Sequence, residues 1–341
     1  MEDAIIRTQG LTKRYGEVLA VDHLDLDIRR GEVFGLLGPN GAGKTTTTLM
    51  LLGLTEPTGG TARIDGHNCT REPLAVKAMV GYLPDSVGFY PDLTGRENLC
   101  FTGALNGLSP DECARRADQL LERVGMTYAA HRKTGGYSRG MRQRLGIADV
   151  LMKDPRVIIL DEPTLGIDPE GVRELIALIR ELSVKDGRTI LISSHQLYQI
   201  QQICDRVGIF VQGRLIACGP IDDLSRQLGG ESRFRLEVRT GGGDLDLDIQ
   251  NLEGVCTVDR DADGTVHVVS DRDIRMDLTR LAAQRDCPLL ELRQQGGSLE
   301  EIYHKYFEKA GDWDEASQHP SDGSGSRPGF LARLRRRPAG Q

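Results

Sequence analysis

The chain has 341 residues, enough for two or three domains, and a hydrophobic content of 39% that supports sizeable cores. A formal net charge of −7 and an isoelectric point near 5.6 speak against a bulk nucleic-acid binder, whose phosphate contacts need clustered Lys and Arg. No run of 18 apolar residues could span a bilayer, and the opening MEDAIIRTQG lacks the basic-then-apolar pattern of a secretory signal. The expectation is a cytoplasmic chain that meets a membrane only through a partner.

Residues 1 to about 220 alternate short apolar runs with longer helical patterns, which predicts an α/β domain. EVFGLLG (32–38) reads as a buried strand, and GPNGAGKTTTT (38–48) follows it directly. That loop fits G-x-x-x-x-G-K-[ST] on Gly38, Gly43, Lys44 and Thr45. Across Gly38, Pro39, Asn40, Gly41, Ala42 and Gly43 the glycines let backbone N–H groups converge with no Cβ in the way, and the helix read from KTTTTLMLLGL adds its positive end. Such a loop holds phosphate. Lys44 would reach the β- and γ-phosphates, the Thr45 hydroxyl would ligate Mg²⁺, Thr46 would meet the α-phosphate, and Thr47 and Thr48 would pack.

RVIILDEP (156–163) and RTILISSH (188–195) are two further buried-strand patterns that end on polar residues. Ligands of open α/β sheets sit at the carboxyl ends of strands, so Lys44, Asp161, Glu162 and His195 are predicted to share one site. In that site Asp161 would hold Mg²⁺, and Glu162 would orient and activate a water. A merely exposed acidic turn is the weaker reading, because two adjacent carboxylates after four apolar residues are costly without a cation. His195 would donate to the γ-phosphate; alone, it would pass for a structural histidine.

Beyond residue 230 the pattern changes. RFRLEVR (233–239), TVHVVS (265–270) and LLELRQQ (289–295) read as strands, a Gly-rich turn falls at 241–243, and DIRMDLTRLAAQRD (273–286) reads as an amphipathic helix. DLDLDIQ (244–250) alternates acid with aliphatic and is expected to be a half-exposed strand. DRDADG (259–264) imitates the opening of a Ca²⁺ loop, but Ser270 stands at the twelfth position where a bidentate Glu is needed, so a turn between strands is expected. A small α+β domain over 230–308 results. Residues 310–328 are poor in apolar side chains and read as a disordered linker; the basic FLARLRRRP (330–338) beyond it would either touch anionic lipid or stay solvated. The seven cysteines have no metal-binding spacing and are expected to be reduced thiols in or near cores.

YSRGMRQRL (137–145), ILDEPT (159–164), LGIDP (165–169) and SSH (193–195) follow the phosphate loop in an order and spacing that resemble an ATP-binding cassette (ABC) ATPase, the nucleotide-binding subunit of an ABC transporter, over residues 4 to about 225. YLPD with FYPDLTGRENL, CDRV and the C-terminal SLEEIYHKYF (298–307) are similar to the ABC-2 or drug-export branch. The resemblance implies an α/β P-loop NTPase cassette, with a mixed-sheet core and a helical signature subdomain, that hydrolyses ATP with Mg²⁺. It also implies that Tyr15 stacks on adenine, that Glu162 is the general base, and that Ser138, Arg139 and Gly140, together with Asp168, meet ATP held by a second cassette, as in a homodimer. Two departures from the pattern stand out. Tyr137-Ser138-Arg139-Gly140-Met141 replaces L-S-G-G-Q, and Asp85 occupies the place where many cassettes use Gln toward Mg²⁺ and the permease. An integral-membrane permease, with an export role, would dock near residues 85–105 and hold the chain at the cytoplasmic face of the cell membrane. A soluble ABC ATPase acting on ribosomes or DNA is the competing reading, but those usually carry two cassettes or long coiled-coil insertions; in a P-loop kinase YSRGMRQRL and LGIDP would have no task.

Overall fold

The computed structural model describes residues 4–221, 223–224, 234–242, 245–261 and 264–295. The chain opens with a hairpin of β1 (Ala4–Tyr15) and β2 (Val18–Arg29), then enters β3 (Val33–Leu37), the phosphate loop and α1 (Lys44–Leu51). β4 (Gly59–Ile64) and β5 (His67–Asn68) complete an antiparallel sheet of order β2-β1-β4-β5. α2 (Pro73–Met79) and β6 (Val80–Leu83) lead to a helical excursion of α3 (Gly95–Leu105), α4 (Pro110–Arg123) and α5 (Arg139–Leu151). The chain returns through β7 (Val157–Asp161), α6 (Pro169–Val184), β8 (Thr189–Ser194), α7 (Leu197–Ile203), β9 (Arg206–Val211) and β10 (Arg214–Gly219). The resulting sheet has the order β10-β9-β3-β8-β7-β6, parallel except for its β10 edge.

Strands covered on both faces read as continuous apolar runs, and β3 and β7 are buried at every position. Their alternate side chains part into two cores. Phe34, Leu36, Val157, Ile159 and Leu191 join the core shared with the antiparallel sheet, while Val33, Leu37, Ile158, Leu160, Ile190 and Ile192 join the core that holds the helices.

The helical excursion is pinned by its caps. Thr94 and Glu97 form a reciprocal capping box on α3, Ser109 caps α4 by accepting from Glu112 N, and Ser138 caps α5 by accepting from Met141 N at 3.2 Å. Buried Tyr137 donates its hydroxyl to Ala129 O at 2.6 Å, which fixes the residue that precedes the α5 cap. Helix α5 lies close on β6: a Cβ on Gly81 would stand 2.3 Å from Val150 Cγ1, and one on Gly146 would stand 2.5 Å from Leu83 Cδ1.

The last part of the described chain runs β11 (Phe234–Thr240), α8 (Asp246–Gln250), β12 (Val255–Arg260), β13 (Val266–Ser270), α9 (Arg275–Gln284) and β14 (Leu289–Gln295). Its antiparallel sheet has the order β12-β13-β11-β14, a β-α-β-β-α-β ferredoxin-like arrangement around its own core of Leu236, Val238, Val266, Val268, Ile274 and Leu278. The expectation of a strand over 244–250 is overturned. Leu245 and Ile249, four apart, are buried, whereas Leu247 between them is 80% exposed, so the apolar spacing that counts is helical. The turn expected at DRDADG is present, with Gly264 N donating to Asp261 O and Asp261 N to Thr265 O. Two of the seven free thiols, Cys218 and Cys256, are exposed and so depart from the buried setting expected. Among the described residues no helix is long and apolar enough to cross a membrane. The boundary near 225–233, SLEEIYHKYF, the linker and the basic tail lie outside the described residues.

Candidate nucleotide-binding and hydrolysis site

The loop between β3 and α1 needs glycine for packing as much as for phosphate. Gly43 has φ 103°, and a Cβ there would stand 2.2 Å from Ala20 O; a Cβ on Gly38 would stand 2.2 Å from Phe210 O. The loop is therefore wedged between β2 and β9, which holds residues Pro39 to Ala42 at the head of α1. Buried Lys44 donates its ammonium to Gly38 O at 2.7 Å and to Pro39 O at 3.0 Å. Burial pulls its pKa down, and the carboxylates of Glu162 and Asp161 oppose that shift. Thr46 is half-buried, while Thr47 and Thr48 are fully buried and pack as expected.

Strands β7 and β8 are neighbours in parallel register, with Asp161 opposite Ser193, so their ends present the second half of the site. Asp161 is buried and accepts from the Ser193 hydroxyl and, at 3.5 Å, from Thr45 Oγ1. Burial pushes its carboxyl above the usual range, the Ser193 bond opposes this, and the negative charges of Glu162 and Asp85 add to it. Glu162 sits at φ 45°, a left-handed conformation uncommon outside glycine, held by its N–H to Ser193 O at 2.9 Å. That twist turns its carboxylate back over the strand end. Oε2 accepts from Ser194 Oγ at 3.1 Å, and Oε1 lies 2.8 Å from His195 Nδ1, so that Nε2 takes no part in this bond. Lys44, Thr45, Asp161, Glu162 and His195 are thus brought together, as their sequence positions predicted.

The other predicted residues lie around this centre. Tyr15 is 48% exposed at the tip of the β1–β2 hairpin with Lys13 Nζ 4.8 Å over its ring, and Ala20 of the same hairpin touches the loop at Gly43. Asp85 is exposed just past β6. Ser138 and Asp168 are both spent on helix caps through their side chains, Asp168 accepting from Gly171 N at 3.1 Å at the head of α6. Gly140 and Arg139 pack on the loop that carries Asp168: a Cβ on Gly140 would meet Ile167 Cγ2 at 3.5 Å, and one on Gly166 would meet Arg139 Cδ at 3.0 Å. Near residues 85–105, Tyr90 and Phe101 stack edge-to-face at 4.9 Å, both exposed, beside exposed Leu105.

Sequence reasoning missed Ser193 and Ser194, whose hydroxyls orient the two carboxylates, although both were written in the SSH motif. It also missed the direct pairing of His195 with Glu162, which no spacing announces.

Comparison with known proteins agrees with this fold. The ABC transporter family profile matches residues 21–165. The chain is 37% identical over 304 residues to the bacitracin transport ATP-binding protein BcrA of Bacillus licheniformis, covering 88% of this chain and 96% of that protein. It is 40% identical over 242 residues to the daunorubicin resistance ATP-binding protein DrrA3 of Streptomyces coeruleorubidus, covering 71% of this chain and 76% of that one. Among solved structures, an ATP-binding subunit of an ABC transporter superposes with a TM-score of 0.60 at 32% identity, over 66% of this chain and 93% of that one. A dimeric bacterial ABC transporter cassette superposes with a TM-score of 0.58 at 25% identity, over 63% and 98%. The chain belongs to the ATP-binding subunits of ABC transporters. It is an ATPase of that family, and the relatives it resembles are named for bacitracin transport and daunorubicin resistance.

Proposed function

We propose that two copies of this chain close around two ATP molecules, and that hydrolysis in this closed dimer drives an exporter. Each nucleotide is gripped by the phosphate loop of one copy, with Tyr15 against the adenine, and completed by Ser138, Arg139, Gly140 and Asp168 of the other. The hydrogen-bonded sets Glu162 with His195 and Ser194, and Asp161 with Ser193, at the ends of two adjacent parallel strands carry this reading.

Lys44, already stripped of water, supplies a fixed positive charge for the β- and γ-phosphates. Glu162 accepts the proton of the attacking water and His195 steadies that carboxylate through Nδ1–H; donation from Nε2 to the γ-phosphate at the same time requires a proton on both ring nitrogens. The oxygen set of Thr45, Asp161 and Asp85 suits a hard divalent cation; Asp161, whose pKa is raised first by burial and further by the Glu162 and Asp85 charges, would have its carboxylate charge neutralised by such a cation. Mg²⁺ bound there would offset the charge on the phosphate oxygens.

The signature segment of one copy and the phosphate loop of the other act on one γ-phosphate, so ATP favours the closed dimer and its hydrolysis releases it. The exposed Tyr90–Phe101 pair and Leu105 offer the apolar surface on which a permease would dock, which would station the chain at the cytoplasmic face of the membrane. The names of BcrA and DrrA3 refer to bacitracin transport and daunorubicin resistance, and outward movement of a toxic compound is the reading adopted for this chain. The boundaries 1–225, 230–308 and 310–341 are proposed for its cassette, accessory domain and tail.

Sizing in Mg-ATP tests the reading. Lys44→Ala is expected to lose nucleotide binding and remain monomeric. A stable ATP-dependent dimer of that variant, or a wild type that does not turn over ATP, would overturn it.

A further inference from the structure

The turn between β9 and β10 lies behind the phosphate loop and is bonded to it. Gly213 N donates to Ala42 O at 2.9 Å, so a carbonyl inside the loop is held from outside. In a trans peptide the carbonyl and the following N–H point opposite ways, and this bond therefore aims Gly43 N–H away from the hairpin. Gln212 and Gly213 have φ 46° and 80°, the left-handed pair of a two-residue hairpin that brings Arg214 opposite Val211. Glutamine is uncommon in that conformation and keeps it only where its surroundings hold the turn.

Asp22 of β2 supplies that hold. Its N–H donates to Gly213 O at 2.8 Å, and its carboxylate accepts from Arg214 Nε and from His23 Nδ1, each at 2.6 Å. The Asp22 side chain is 11% exposed, against 58% for Arg214. Burial raises its pKa, but the bonds from His23 and Arg214 outweigh burial and leave the group below the usual carboxylate range. A Cβ on Gly213 would stand 3.0 Å from Ala20 O, the same carbonyl that presses on Gly43. Residues 20–22 thus touch both the turn and the loop. A surface ion pair alone is worth about 1 kcal/mol or less, but this one fixes a backbone turn one hydrogen bond away from the loop.

We propose that Asp22 is a positioning residue for nucleotide binding: paired with Arg214 it fixes the Gln212–Gly213 turn, which fixes the Ala42–Gly43 peptide and so aims Gly43 N–H at the phosphate chain. This rests on the proposed role of the phosphate loop. Backbone N–H groups of such a loop cradle the α- and β-phosphates, so ATP and ADP depend on Asp22 alike. Glu162 and His195 stand at the ends of β7 and β8 and make no contact with this circuit, so the dependence falls on binding and not on turnover of bound ATP.

The test is equilibrium binding of ATP and ADP, together with steady-state ATP hydrolysis, by the full chain. Wild type is compared with Asp22→Ala, Arg214→Ala, the double variant and Lys44→Ala, and melting curves confirm folding. Each single variant of the pair is expected to raise Kd for both nucleotides, and KM for ATP, about fivefold to tenfold, as for a charge-assisted hydrogen bond that is weakened but kept. Its kcat should stay within about twofold of wild type. The double variant should be no worse than Asp22→Ala, because the two side chains act as one unit. Arg214→Ala alters an exposed side chain and decides the matter if Asp22→Ala does not fold. Unchanged Kd in the folded variants would overturn the proposal. So would a lower melting temperature and kcat at an unchanged KM, the mark of a merely structural pair, or losses that add in the double variant. If Lys44→Ala binds ATP as tightly as wild type, the phosphate-loop assignment itself fails; if Lys44→Ala loses ATP while the Asp22 and Arg214 variants keep it in full, only the positioning role falls.

Discussion

His195 and Glu162 are bonded to each other, Nδ1 to Oε1 at 2.8 Å, and Ser194 holds the other carboxylate oxygen at 3.1 Å. Glutamine at 162 keeps an acceptor for one of these partners and keeps the size of the side chain, but it cannot take a proton from water. Glu162→Gln is therefore expected to bind ATP with little loss and to hydrolyse it roughly 10²–10⁴-fold more slowly. Nucleotide-trapped dimer should accumulate on sizing in Mg-ATP. Near-normal single-turnover hydrolysis would remove Glu162 as the base.

Asp149, on α5, lies against Thr102 of α3 with Lys153 one turn further along. Burial pushes its carboxyl up to about 6, against the opposing Thr102 hydrogen bond and Lys153 charge. Below its ordinary pKa of 3.8 the group is protonated in the folded and unfolded chain alike. Between 3.8 and about 6 the folded chain keeps a proton that the unfolded chain has released, so this residue's contribution to stability falls as pH rises. Above that window the cost persists in full. Asp149→Asn should remove it, raising stability at pH 8 by roughly 1–3 kcal/mol and making no difference below about pH 4. Denaturant melts at the two pH values check this, and an equal gain at both would refute it.

Tyr137→Phe deletes the hydroxyl that donates to Ala129 O at 2.6 Å, leaving that carbonyl its second donor, Arg132 N at 2.9 Å. The expected loss is about 0.5–1.5 kcal/mol, with fraying of the segment before α5. Hydrogen exchange of residues 129–141 should quicken more than that of β3 or β7. Uniform exchange across the cassette would show that the bond has no local role.

Reactivity should separate the thiols. Burial raises the Cys69 thiol to about 12 and raises that of Cys204 further, whereas Cys256 is exposed. Iodoacetamide at neutral pH should label Cys256 first in the native chain and reach Cys69 and Cys204 only after denaturation. Peptide mass spectra that found Cys69 labelled early would contradict the packing around it.

Much of the site was legible because phosphate chemistry constrains the chain locally. Gly38, Gly43, Lys44 and Thr45 lie within eight residues, and Asp161, Glu162 and His195 each close an apolar run that could only be a covered strand. The β3, β7 and β8 assignments held for the same reason. What escaped was set at a distance. The pairing of Glu162 with His195 depends on β7 lying beside β8, and the rest of Arg139 on Gly166 depends on α5 lying over the following loop. The 244–250 segment misled because Leu245, Leu247 and Ile249 satisfy a period of two, while burial chose only the first and the last. The order β12-β13-β11-β14 was likewise invisible, since strand neighbours far apart in sequence are selected by the assembled core.

The two missing side chains at Gly81 and Gly146 give the signature helix a mechanical character. Val150 and Leu83 occupy the space that methyl groups would have taken, so helix and strand meet with almost no slack. Closely packed interfaces of this kind pass a displacement on instead of cushioning it. A permease that nudged the 83–87 segment would be working a lever with little backlash, whose far arm ends at Ser138.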